Sequence, residues 1–164
     1  MLLSGQNGQN GTGVGFLGMA DEEGTQMLIF RLADEIYGIE ASTVQEIIIV
    51  YEITRVPRAP ALIEGVINLR GSIVPILDLR KRFDLPEVAF GSKTRMVIVE
   101  TSAGLVGLIV DEVIEVMPIP PALINRSPTF LSGPVDPESL LGVAKLDKKL
   151  VVLLNVEKVL KIPR

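Results

Sequence analysis

The sequence predicts an all-β protein with short helices, built as two packed five-stranded β-barrels, and three observations lead there. Residues 65–83 are written a second time, loosely and without a gap, as residues 142–160, since 142 − 65 and 160 − 83 both equal 77. Residues 27–48 lie in the same way over 96–117, where 96 − 27 and 117 − 48 both equal 69. A chain that repeats a strand–turn–strand–helix phrase reads as two copies of one small unit, and the seam between copies is a natural binding site. Finally, residues 73–77 and 150–154 are apolar on both faces, whereas a strand with one solvated face alternates. One face then fills its own barrel and the other is covered by the sister barrel. Strands this short also need closure to hide their edges. The offset changes by 77 − 69 = 8 residues, which places a longer connection in the second half, in the Pro- and Ser-containing loop 125–138.

The elements follow in order. Residues 1–24 are rich in Gly, Asn, Gln and Ser without a period and read as a disordered tail, leaving 25–164 as the folded domain. Within the tail, Gly11-Thr-Gly-Val-Gly15 follows no strand and opens no helix, so it is not a phosphate loop. Strands at 27–32 and 36–39 flank the turn Ala33-Asp34-Glu35. A short helix is expected at 41–46, then a strand at 47–51 continued through Ile53. Pro57 and Pro60 break the chain, and 61–64 reads as a helical turn ended by Gly65. Strands at 66–69 and 73–77 form a hairpin about Arg70-Gly71-Ser72, where Gly71 supplies positive φ, and Asp78 is a fitting N-cap for a helix at 79–83. The second half expects strands at 95–101, 105–110, 113–117, 140–146 and 150–154, with Asn155 capping a helix at 156–160 as Asp78 does.

Composition narrows the function. The net charge is −4, with no dense Lys/Arg face, which argues against nucleic acid as a main partner. The run Arg80-Lys81-Arg82 reads as a solvated helix face. No apolar run reaches the length of a membrane span, so direct insertion is not expected and the chain reads as cytoplasmic. With no His and no Cys, the usual general base, thiol nucleophile and soft metal ligands are missing, and no cofactor or metal is expected. Enzymatic use of carboxylates would rest on Asp111-Glu112 or Glu46/Glu115, but neighbours in a strand point to opposite faces and make a poor acid/base pair. A non-enzymatic role is expected.

The segments Gly65-Val-Ile-Asn-Leu-Arg-Gly71 and Val74-Pro-Ile-Leu-Asp-Leu-Arg80 resemble the signature of the CheW family of bacterial chemotaxis adaptors. Tyr37-Gly-Ile39, Val44-Gln-Glu-Ile47, Val106-Gly-Leu-Ile-Val-Asp-Glu-Val113 and Asn155-Val-Glu-Lys158 match in the same order, so the resemblance spans roughly residues 26–162. It implies two SH3-like barrels joined across a hydrophobic seam. It implies, too, a scaffold that couples chemoreceptors to the histidine kinase CheA, docking on the kinase's regulatory domain and holding the helical tip of a receptor in a groove. Leu28, Ala41, Val44, Ile47 and Val113 align with the family's groove positions, and such residues suit a helix laid into an apolar trough. Ala41 is small where a larger apolar residue is common. Glu46 and Arg70 align with a charged pair beside the receptor site, and Phe130 with an aromatic that contacts the kinase. An adaptor of a related pathway such as twitching motility fits the same residues.

Overall fold

Residues 24–126 and 139–160 are described by the computed structural model. Turn residues and apolar alternation divide them into strands β1 (Thr25–Leu32), β2 (Glu35–Glu40), β3 (Val44–Ile49), β4 (Ile63–Leu69), β5 (Ser72–Asp78), β6 (Arg95–Thr101), β7 (Gly104–Val110), β8 (Glu112–Ile119), β9 (Ile124–Asn125), β10 (Leu140–Leu146) and β11 (Lys149–Leu154). Two one-turn helices follow the hairpins, α1 (Leu79–Arg82) after β5 and α2 (Val156–Val159) after β11. The two caps form as expected: Asp78 Oδ1 accepts from the Arg80 N–H at 2.9 Å, and Asn155 Oδ1 from the Lys158 N–H at 3.2 Å. The expected tail, 1–24, lies outside the described residues except for Gly24, as do the Gly11–Gly15 segment and most of the loop 125–138.

The strands form two sheets, ordered β8-β1-β2-β11-β10-β9 and β3-β6-β7-β5-β4. The first therefore has six strands rather than five, because the two-residue β9 adds to β10. Among the described residues no ladder joins β8 to β9 or β3 to β4; the single bridge Thr54–Val66 ties the chain after β3 to β4. Each sheet takes strands from both halves of the sequence. The six-stranded sheet combines the first hairpin with the last four strands, and the five-stranded sheet holds the middle of the chain.

The pairing registers follow the two sequence offsets. Gly65 pairs with Ile76 as Gly142 pairs with Leu153, and both hairpins carry an irregularity just before the glycine. A Cβ on Gly65 would sit 2.3 Å from the Thr54 carbonyl oxygen, and one on Gly142 2.8 Å from that of Asn125, so both positions require the bare backbone. Val44 pairs with Val99 as Val113 pairs with Phe30, again each beside a bulge. The bridge Thr54–Val66 corresponds to Asn125–Val143, an offset of 125 − 54 = 71. The longer connection is thus split: two residues enter before Asn125 and six after it, between the offsets 69, 71 and 77.

Three apolar clusters fill this frame. Ile67, Val74, Ile76, Met96 and Ile98 lie inside the five-stranded sheet. Met27, Ile29, Ile119, Val151 and Leu153 lie inside the six-stranded one. The third and largest is shared between the sheets, and includes Leu28, Phe30, Tyr37, Leu77, Phe83, Val97, Val99, Val152 and Leu154. Strand β11 shows why its residues are apolar on both faces: Val151 and Leu153 point into their own sheet, while Val152 and Leu154 face the shared layer.

Two contacts cross the seam at equivalent places. In the turn between β1 and β2, the Ala33 N–H donates to Asp111 Oδ2 at 2.7 Å, and that carboxylate receives Arg80 of α1 through Nε at 3.0 Å and Nη2 at 2.6 Å. In the equivalent turn between β6 and β7, the Ser102 N–H and Oγ donate to Glu157 of α2, at 2.9 Å to Oε2 and 2.7 Å to Oε1. Arg80 is 9 % exposed, so the reading of 80–82 as a solvated face fails there. The guanidinium is buried because its fork finds Asp111 and the Pro86 carbonyl. Lys81 meets Glu64, and Arg82 Nε donates to the Val159 carbonyl at 2.8 Å, tying α1 to α2. The residues expected to form a helix at 41–46 form a 3-10 turn only over Ala41–Thr43, because β6 captures β3 from Val44 onward. The expected helical turn at 61–64 gives way to β4, which starts at Ile63 to pair with Leu77.

Candidate functional site

The chain passes from the six-stranded to the five-stranded sheet through Ala41–Thr43, where Thr43 Oγ1 donates to the Glu40 carbonyl at 2.7 Å. It then enters β3, an edge strand of the five-stranded sheet. The bulge between Val44 and Glu46 resets the alternation. Val44 pairs with Val99 and Ile47 with Val97, both in the shared layer, so Val44 and Ile47 lie on the seam side. Glu46 pairs with Ile98, an interior residue, and therefore lies on the opposite face. The apolar candidates and the charged candidate thus share a strand but not a face.

Val44 is half-buried and packs on the shared layer, while Ile47 is 39 % exposed at its rim. Ala41 is half-buried in the crossing. Leu28 is buried, at 1 % exposure, one strand in from the edge of its sheet. Its side chain packs in the layer shared between the sheets. Val113 is half-buried at the corresponding edge, on β8, and also packs on the shared layer. Phe130 lies outside the described residues.

Arg70 opens the β4–β5 turn at φ 50°, followed by Gly71 at φ 91°. The turn is held by the Gly71 N–H donating to Asn68 Oδ1 at 2.8 Å. From there the guanidinium reaches Glu46 with both terminal nitrogens, Nη1 to Oε1 at 3.3 Å and Nη2 to Oε2. The hydrogen bond from Arg70 holds the Glu46 carboxyl below its usual range, and Glu46 raises Arg70 in turn. Asp111 and Glu112 are committed elsewhere: Asp111 to Arg80, and Glu112 to Arg31 Nε at 3.2 Å and Lys93 at 3.6 Å. Among the described residues no group of His, Cys, Asp and Glu is placed to hold a metal ion.

Sequence reasoning missed Val116, 52 % exposed on β8 and paired with Leu28. It is the counterpart of Ile47, since 116 − 47 = 69, so the repeat alone would have flagged it. Ile73 and Leu150 are similarly equivalent and exposed, at 66 % and 52 %, at the hairpin starts of β5 and β11.

Two sheets sharing an apolar layer, with exposed apolar residues on the edge strands β3 and β8, are the architecture of a module suited to protein binding. The CheW-like domain model matches residues 26–164, and the chain belongs to the CheW-like family. It is 36 % identical over 137 residues to the chemotaxis protein CheW of Klebsiella aerogenes, covering 84 % of this chain and 82 % of that one. It is 32 % identical over 141 residues to protein FrzA of Myxococcus xanthus, covering 85 % and 87 %. The crystal structure of the scaffolding protein TtCheW from Thermoanaerobacter tengcongensis superposes with a TM-score of 0.76 at 35 % identity, covering 85 % of this chain and 89 % of that one.

Proposed function

We propose that this protein is a non-enzymatic adaptor that couples chemoreceptors to the histidine kinase CheA. The observation that carries the reading is the rim of β3, where half-buried Val44 and exposed Ile47 offer apolar surface along the seam and Arg70–Glu46 fixes the neighbouring turn. An amphipathic helix of a receptor's cytoplasmic tip lays its apolar stripe against that rim, with Ala41 at one end and Val113 contributing from β8. The kinase contributes its regulatory domain, and Phe130 is a contact on that side. The protein works at receptor arrays on the inner face of the membrane; no helix among the described residues is long and apolar enough to cross one. The matching registers of the two halves support an origin of residues 25–164 by internal duplication. Residues 1–24 contribute to neither interface.

Co-sedimentation with receptor-containing membranes tests the receptor contact. Ile47→Asp and Val44→Asp are expected to leave the far-UV spectrum unchanged and abolish co-sedimentation. Ile47→Asp is the more stringent arm because its side chain is the more exposed. Undiminished binding by a folded Ile47→Asp protein would refute the rim as the receptor site. A second reading, an adaptor of a related pathway such as twitching motility, is favoured by one observation: the similar proteins are not all named for chemotaxis.

A further inference from the structure

The two sheets end in equivalent mouths that differ in their charged residues: Asp147, Lys148 and Lys149 stand in one where the other has Arg70, Gly71 and Ser72. At the mouth of the five-stranded sheet, Arg70 reaches across to Glu46. The counterparts of that pair in the six-stranded sheet are Asp147 and Glu115, since 147 − 70 = 77 and 115 − 46 = 69. The backbone there is the same: Asp147 opens its hairpin turn at φ 54°, as Arg70 does at φ 50°, and Glu115 follows the β8 bulge as Glu46 follows that of β3. Two carboxylates therefore stand where one mouth has a carboxylate and a guanidinium. Like charges do not bridge, and this mouth is a cavity of about 570 Å³ lined by Ile29, Ile36, Met117 and Val151 together with Glu115 and Asp147. Lys148 and Lys149 also line it, yet among the described residues no ion pair engages either lysine, Glu115 or Asp147.

We propose that this mouth is a receptacle for an arginine side chain presented by a partner protein next to an apolar residue. The chemistry is copied from inside the molecule. At the mouth of the five-stranded sheet the Arg70 guanidinium meets Glu46 with two nitrogens, and Glu46 pairs with Ile98, whose cluster also holds Ile48 and Val74, the three counterparts of Ile29, Met117 and Val151. The open mouth keeps the apolar floor and the glutamate and replaces the arginine with a second acid. An incoming guanidinium fits between two carboxylates better than an ammonium does, because its planar fork serves both at once. The neighbouring apolar residue covers Ile36 and Met117, which are only partly buried. This surface belongs to the six-stranded sheet and is separate from the β3 rim.

The test uses methyl-labelled full-length protein and an acetylated, amidated Ile-Arg-Ile tripeptide, followed by NMR. The methyls of Ile36, Met117 and Val151 are expected to shift saturably, while those of Ile48, Leu105 and Val74 at the strapped mouth stay in place. The doubly neutral variant Glu115→Gln/Asp147→Asn should bind at least tenfold more weakly. Asp147→Arg should abolish the shifts by supplying the strap in cis. An Ile-Glu-Ile tripeptide should not bind. Three results would each overturn the proposal: no saturable shift, equal shifts at both mouths, or full affinity in the doubly neutral variant. Equal shifts with spermidine would also overturn it, by making the mouth a site for free cations.

Discussion

The two seam-crossing clasps use equivalent backbone amides, but opposite charges stand at the equivalent helix positions Arg80 and Glu157. The N–H of Ala33 and that of Ser102 occupy equivalent turns, and each donates to a carboxylate. At Ala33 the carboxylate is Asp111, which is also gripped by the buried Arg80. At Ser102 it is the exposed Glu157, which stands at the helix position equivalent to Arg80, since 157 − 80 = 77. The packing beside them diverges in the same direction. Phe30, Tyr37 and Phe83 stack at centroid distances of 6.0 and 5.4 Å beside the first clasp. Their counterparts Val99, Val106 and Leu160 are aliphatic. The repeat has kept its register and changed its charges and its aromatics, so one end of the seam is locked and the other lightly fastened.

Removing Asp111 should break this contrast most severely. Asp111→Ala leaves the Arg80 guanidinium buried without its carboxylate, and a loss of about 3–5 kcal/mol in urea unfolding is expected. A loss no larger than that of Glu157→Ala would show that the two ends are equivalent. The Asp111 clasp also sets an acid limit. Burial pushes the Asp111 carboxyl up, but the hydrogen bonds from Arg80 and the Ala33 N–H outweigh it and hold the group below the usual carboxylate range. A depressed carboxyl contributes stability above its unfolded value and loses it as pH falls through the folded one. Stability should therefore drop below about pH 4, and Asp111→Asn should flatten that part of the profile.

The alkaline limb has the opposite origin. Burial in the aromatic stack, with Glu35 nearby, pushes the Tyr37 hydroxyl up to about 12. A raised phenol keeps its proton in the folded state after the unfolded chain has lost it, so its contribution is complete below pH 10 and disappears between about pH 10 and 12. Tyr37→Phe should remove that decline. A milder change is Phe83→Leu, which installs the residue type found at its counterpart, Leu160. Loss of the stack on Tyr37 should cost about 1 kcal/mol. The smallest effect expected is that of Glu157→Gln: faster amide hydrogen exchange confined to the Ser102 turn, with the global urea midpoint nearly unchanged.

Much of this was legible in the sequence for a physical reason. Hairpin register is fixed by turn length and the apolar pattern, so offsets read from Gly65/Gly142 and Val44/Val113 carried directly into strand pairing. What did not carry was tertiary. The exchange of strands between halves depends on the parallel pairings of β5 with β7 and of β2 with β11, which leave no local signature. The burial of Arg80 depends on Asp111, 31 residues away. Leu28 and Val44 look alike as apolar strand residues, and only their distance from the sheet edge makes one core and the other rim. The bulge at β3, which brings Val44 onto the same face as Ile47, was equally hidden.

The central claim is that the open apolar edge along the shared layer transmits receptor state to the kinase. It is tested most directly by receptor-dependent autophosphorylation of CheA in a reconstituted mixture, with wild-type protein and with folded Ile47→Asp. Wild type should restore receptor control of the kinase, and Ile47→Asp should leave the kinase at its receptor-free rate. Full receptor control through Ile47→Asp, or none through wild type, would contradict the claim.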